Sequence, residues 1–167
     1  VYATDLDGDG DADVLSASSN DHKIAWYENN GSGSFAVQQV ITTAAIGAAS
    51  VYATDLDGDG DADVLSASVH DDKIAWYENL GGGAFGSQQV ITTVANYSNS
   101  VYATDLDGDG DADVLSASSN DHKIAWYENN GSGSFAVQQV ITTAAIGAAS
   151  VYATDLDGDG DADVLSA

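Results

Sequence analysis

The chain has 167 residues, long enough for a domain with a real core, and 44% of them are hydrophobic, as in a folded protein rather than a solvating acidic tail. Against 27 acidic residues stand three lysines and no arginine, for a formal charge of -24, so there is no basic patch for nucleic acid and an anionic membrane surface would repel the chain. Cysteine is absent, which removes disulfide frameworks and thiolate metal sites, and no apolar run is long enough to insert in a membrane.

Along the chain one unit of 50 residues recurs: residues 1–50, 51–100 and 101–150, with residues 151–167 repeating the first third of it. The first and third units are identical, and the second differs from them at 13 positions, none within its first 18 residues. No 3.6-residue periodicity runs long enough for a helix; short β-rich runs alternate with turn clusters instead. Residues 1–4 (Val-Tyr-Ala-Thr) read as a first strand entering an acidic loop, and residues 14–18 as a second leaving it. Asn20-Asp21-His22 makes a tight turn into a third strand at 23–28, Lys-Ile-Ala-Trp-Tyr-Glu. A glycine-rich hairpin loop at 29–33 follows, then a fourth strand at 37–42, and residues 43–49 carry the chain to the next unit. Four short antiparallel strands in such a period predict an all-β fold of β-propeller-type blades: three blades at 1–50, 51–100 and 101–150, and the first two strands of a further blade at 151–167. Leu15 and Ala17 are expected to face one neighbouring blade and Val14 the other, while Trp26, Tyr27 and Phe35 wedge between blades.

The acidic loop, Asp-Leu-Asp-Gly-Asp-Gly-Asp-Ala-Asp, starts at Asp5, Asp55, Asp105 and Asp155 and supplies 20 of the 27 acidic residues. Five carboxylates in nine residues repel one another unless a positive charge sits among them, and the glycines allow the tight curl that gathers their oxygens. A hard, oxygen-liganded divalent cation resolves this, and Ca²⁺ suits a many-ligand protein loop better than Mg²⁺, which demands a strict octahedron. In the ligand order of an EF-hand loop, Asp5, Asp7 and Asp9 fill positions one, three and five. Gly10 takes the sharp turn at six, Asp11 offers its carbonyl at seven, and Asp13 fills position nine. Ser16 stands where the bidentate Glu of position twelve would be, so affinity is expected at the weak end, roughly 10⁻⁵ to 10⁻³ M. The candidate metal residues are therefore Asp5, Asp7, Asp9, Asp11 and Asp13; Asp55, Asp57, Asp59, Asp61 and Asp63; Asp105, Asp107, Asp109, Asp111 and Asp113; and Asp155, Asp157, Asp159, Asp161 and Asp163. One Ca²⁺ per loop would bring the net charge from -24 to -16. Each site at tenfold to hundredfold saturation would stabilise the fold by about 1.4 to 2.7 kcal/mol.

The phrase Ser-Val-Tyr-Ala-Thr-Asp-Leu-Asp-Gly-Asp-Gly-Asp-Ala-Asp-Val-Leu resembles the FG-GAP/VCBS repeat, the blade unit of integrin-α-like propellers and of many bacterial surface proteins. The likeness covers essentially the whole chain. Its calcium loop matches in full, whereas the Phe-Gly and Gly-Ala-Pro signatures are degenerate, standing here as Ile46-Gly47 and Ser16-Ala17-Ser18. The resemblance implies Ca²⁺ on one face of a propeller, held by Asp5, Asp7, Asp9 and Asp13 and by their equivalents in the later copies.

These readings point to a calcium-stabilised, secreted or cell-surface repeat protein with a structural or adhesive role. Three blades and a third leave open edges, so the partners expected are further repeats or other copies, in a closed ring or an extracellular filament. Glycans or cell-surface proteins are further candidate partners. The opening at Val1, without a start methionine, reads as an excerpt or a processed product. The alternative is a lectin-like propeller binding carbohydrate through Trp26, Tyr27, Asp21 and His22. No catalytic constellation is visible: the histidine at His22 and His122 moves two places, to His70, in the second unit, and no nucleophile accompanies it, so no enzymatic activity is expected.

Overall fold

Strands alternating small and branched residues, separated by turn clusters, build sheets whose two faces must both be covered. The computed structural model describes residues 1–167 and contains strands and turns only. The first sheet holds β1 (Tyr2–Thr4), β2 (Asp13–Ser18), β3 (Lys23–Tyr27) and β4 (Gln39–Thr42), in that spatial order. The second repeats it with β5 (Ala48–Thr54), β6 (Asp63–Ser68), β7 (Lys73–Tyr77) and β8 (Gln89–Thr92). The third holds β9 (Ser98–Thr104), β10 (Asp113–Ser118), β11 (Lys123–Tyr127) and β12 (Gln139–Thr142). β13 (Val151–Thr154) and β14 (Asp163–Ser166) form a fourth, two-stranded sheet. All pairings are antiparallel, in the blade pattern of a propeller.

Two strand boundaries differ from the sequence reading by more than a single residue. The fourth strand starts at Gln39 rather than Val37, which is left 86% exposed. The first strand of the second sheet starts at Ala48, inside the expected link, because Ala48 pairs with Ser68 across a bulge that absorbs one residue.

Successive sheets pack face to face, and the core lies between them. Leu15 and Trp26 of the first sheet meet Val51, Ala53, Val64 and Tyr77 of the second. Leu65 and Trp76 meet Val101, Ala103, Val114 and Tyr127 in the same way. β6 and β10 thus send their leucines to the following sheet and their valines to the preceding one, as their alternation requires. Trp26 and Trp76 are nearly fully buried, and each meets a phenylalanine of the next unit in a T-shaped pair: Phe85 with Trp26 and Phe135 with Trp76, centroids 6.5 Å apart. The wedge expected of Phe35 is not formed. No sheet lies on that side of the first one, and Phe35 is 51% exposed.

The β1–β2 loop sits at one end of each sheet and the β2–β3 turn at the other. At the turn end His22, Asp72 and His122 adopt left-handed backbone, with φ of 59°, 56° and 56°. From there each reaches the link to the next sheet: the amides of Gly47, Tyr97 and Gly147 donate to His22 Nδ1, Asp72 Oδ1 and His122 Nδ1 at 3.0, 2.8 and 3.3 Å. The same link accepts from the following sheet, since the amides of Val69 and His70 donate to the carbonyls of Gly47 and Ile46. One acceptor side chain per unit thereby straps two sheets together.

Candidate metal centre

The loop between the first two strands is organised by its first and last aspartates. Asp5 Oδ1 accepts from the Gly8 amide at 2.8 Å and Oδ2 from the Gly10 amide at 2.9 Å. Both glycines have positive φ, 81° and 95°, and a Cβ would meet nothing within 4 Å, so glycine is required for conformation and not for room. Asp13, the first residue of β2, is fully buried; its Oδ2 accepts from the Leu6 amide at 2.9 Å and its Oδ1 from the Asn29 amide at 2.8 Å. The second and third loops repeat these bonds, with Asn79 and Asn129 taking the place of Asn29. In the fourth loop Asp163 keeps its bond from Leu156.

These anchors bring Asp5, Asp7 and Asp13 together, each offering an oxygen within 4.8 Å of the others. Asp55, Asp57 and Asp63 form an equivalent group, as do Asp105, Asp107 and Asp113, and Asp155, Asp157 and Asp163. Asp9 and Asp11 are not brought into the group, nor are Asp59, Asp61, Asp109, Asp111, Asp159 and Asp161. Asp9 instead accepts from the Asp11 amide at 2.9 Å, holding the curl from outside. Burial pushes the Asp63 carboxyl up to about 7 and that of Asp113 up to about 6, against the pull of two amide donors on each. Burial also raises Asp7 and Asp57, with neighbouring carboxylates adding to the effect.

Nothing in the protein neutralises these groups. All three lysines lie at the opposite end of the sheets, paired at 2.8 Å with Asp21, Asp71 and Asp121. Two oxygens on one Ca²⁺, at 2.3–2.6 Å each, can be at most about 5 Å apart. Triads whose oxygens fall within 4.8 Å meet that distance requirement and could hold a hard cation.

Asn29 and its equivalents escaped the sequence reading, where they were only loop residues. Asn79 Nδ2 donates to the Ala62 carbonyl of its own loop and, at 2.9 Å, to the Leu6 carbonyl of the preceding sheet's acidic loop. Asn129 does the same to Ala112 and Leu56. Asn79 and Asn129 thus tie the first acidic loop to the second and the second to the third, and only the position of these asparagines two residues after Tyr27, Tyr77 and Tyr127 marked them in the sequence.

The four side chains named for carbohydrate are engaged elsewhere. Trp26 is buried under Phe85, Tyr27 receives the Gln38 amide on its hydroxyl, Asp21 pairs with Lys23, and His22 caps the Gly47 amide.

Four-stranded blades in series, each with an acidic loop at the same end, define a propeller-type repeat protein. The model of the FG-GAP-like repeat matches residues 5–66, 55–116 and 105–166, and the chain belongs to that family. No match to it is found among curated proteins. Among solved structures it is similar to an Agrocybe aegerita lectin described as recognising non-reducing terminal N-acetylglucosamine, at 22% identity and a TM-score of 0.71. That likeness covers 98% of this chain and 45% of the lectin. It is also similar to part of the Photorhabdus luminescens Tc holotoxin pore, at 20% identity and a TM-score of 0.50, over 97% of this chain and 8% of that one. The chain thus spans less than half the length of either, and what it shares with them is the fold.

Proposed function

We propose that this chain is a calcium-stabilised structural and adhesive module of the cell exterior, one stretch of a larger propeller or self-assembling array, with no catalytic role. The observation that carries the reading is the set of four aspartate triads, each gathered within 4.8 Å and without a cationic side chain. Asp5, Asp7 and Asp13 and their equivalents would hold the ion, which supplies the charge that lets the loop stay curled. Held at weak affinity, the ions would fill in extracellular fluid and leave the sites empty in a resting cytosol.

Calorimetric titration of chelator-stripped protein with Ca²⁺ should show binding at the triads and a melting temperature that climbs with occupancy. A melt that is the same in excess chelator and in millimolar Ca²⁺ would remove the claim. Negative-stain images then separate ring from fibre. Carbohydrate binding is the other reading, and it draws on the fold shared with the lectin alone. The engagement of Trp26 in packing, of Tyr27 and His22 in hydrogen bonds and of Asp21 in an ion pair weighs against it. A glycan array probed at millimolar Ca²⁺ decides that question.

A further inference from the structure

The first strands of successive sheets lie side by side, the Val101 amide donating to Ser50 Oγ and the Val151 amide to Ser100 Oγ, both at 3.3 Å. That repeated register stacks one tyrosine from each sheet in a column. Tyr2 and Tyr52 have ring centroids 4.7 Å apart, Tyr52 and Tyr102 4.8 Å, and Tyr102 and Tyr152 4.6 Å, with planes tilted by 46°, 52° and 49°. Tyr27, Tyr77, Tyr97 and Tyr127 have no tyrosine neighbour of this kind. The column reaches solvent at Tyr152, which is 50% exposed, and its other rings are half-buried. Composition sharpens what this means chemically. With neither cysteine nor methionine in the chain, oxidation finds no sulfur to attack, and two of the three tryptophans are buried between sheets. The tyrosine column is the most accessible run of electron-rich groups.

We propose that this column is an oxidative cross-linking site, at which adjacent rings join as dityrosine and staple neighbouring sheets covalently. A peroxide, acting through a one-electron oxidant that it regenerates, is the co-reactant. Each phenol gives up its O–H hydrogen as one electron and one proton, leaving a phenoxyl radical. Two neighbouring radicals pair their electrons in a C–C bond between carbons ortho to the oxygens. Each ortho hydrogen then leaves its carbon as a proton while a proton returns to the oxygen, restoring both phenols. In total two hydrogen atoms are removed, and one peroxide is reduced to two waters. Burial, with a neighbouring phenol adding to it, raises Tyr52 and Tyr102 above the ordinary tyrosine range, so both enter as neutral phenols. Every link spans 50 residues of chain, the constraint on the unfolded state that cysteine would otherwise provide.

The test is photochemical oxidation of the folded chain in Ca²⁺ with a ruthenium tris-bipyridyl sensitiser as the one-electron oxidant and persulfate as the peroxide, which takes up the two electrons and leaves as two sulfates in place of two waters. Cleavage after Lys23, Lys73 and Lys123 puts each column tyrosine on its own peptide, 1–23, 24–73, 74–123 and 124–167, so sequence identity between units does not confuse the map. Dityrosine fluorescence should appear with links between consecutive peptides at residues 2–52, 52–102 and 102–152. Their yield should exceed that from unfolded chain by more than about tenfold, since only the folded state holds the rings in contact. Tyr52→Phe, which keeps the ring, should leave the 102–152 link alone. Linked protein should melt higher. The proposal is overturned by an absence of linked peptides, by equal yields from folded and unfolded chain, or by links dominated by Tyr27, Tyr77, Tyr97 and Tyr127 or by pairs of separate chains.

Discussion

Asp13 and Asp63 carry two electrostatic burdens at once, which a bound cation or a proton would relieve: each sits fully buried at the start of a strand, and each belongs to a group of three carboxylates. Two backbone amides hold each of them, so Asp63→Asn turns one amide donor toward a side-chain NH₂ and should cost about 1–3 kcal/mol even without metal. Asp59→Asn keeps an oxygen for the Asp61 amide and should leave the metal-free melt nearly unchanged, a contrast that paired thermal melts in chelator will show. The buried carboxyls also set a pH dependence. Asp63 near 7 and Asp113 near 6 in the folded state stand above the ordinary value of about 4, so folding favours their protonated forms. Without a cation the stability they contribute is complete below about pH 4 and is lost as pH rises toward 7. Bound Ca²⁺ needs the ionised forms and inverts the trend. Melting temperatures between pH 5 and 8 should fall with rising pH in chelator and rise with it in Ca²⁺.

Turns and strands show how the units tolerate change. The second unit replaces the histidine of the β2–β3 turn with Asp72, and both residue types accept the same link amide from the same left-handed backbone. His22→Asp should therefore leave stability close to that of the parent, whereas His22→Ala removes the acceptor; exchange of the Gly47 amide, followed by NMR, should accelerate only in the second. The tryptophans behave as joints between sheets. Trp76→Ala empties a buried slot beneath Phe135 and should cost about 3–5 kcal/mol, and the half-buried Trp126, with no phenylalanine on it, should cost less in the same denaturation series.

Because each sheet touches only its neighbours, stability is distributed along the stack rather than centred. Every residue of β6 and β10 is buried, while in β14 Ser166 is exposed and Leu165 is 38% exposed. Hydrogen exchange should run fastest in β13 and β14 and slowest in β6 and β10. A uniform exchange rate across the sheets would show the stack unfolding as one unit.

The blade architecture and the acidic loops were legible in the residues, since strand, turn and loop are built from neighbours in sequence and the regular spacing of aspartate and glycine writes the curl locally. The loop's inner membership was not. That Asp13 joins Asp5 and Asp7 while Asp9 stays outside depends on which oxygens the amides of Leu6 and Asn29 claim. Contacts such as Asn79 on Leu6, 73 residues away, Phe85 on Trp26, and the tyrosine column have no local signature at all. They arise only when one sheet is laid against the next, because identical units state what each surface carries and the packing between them states what it meets.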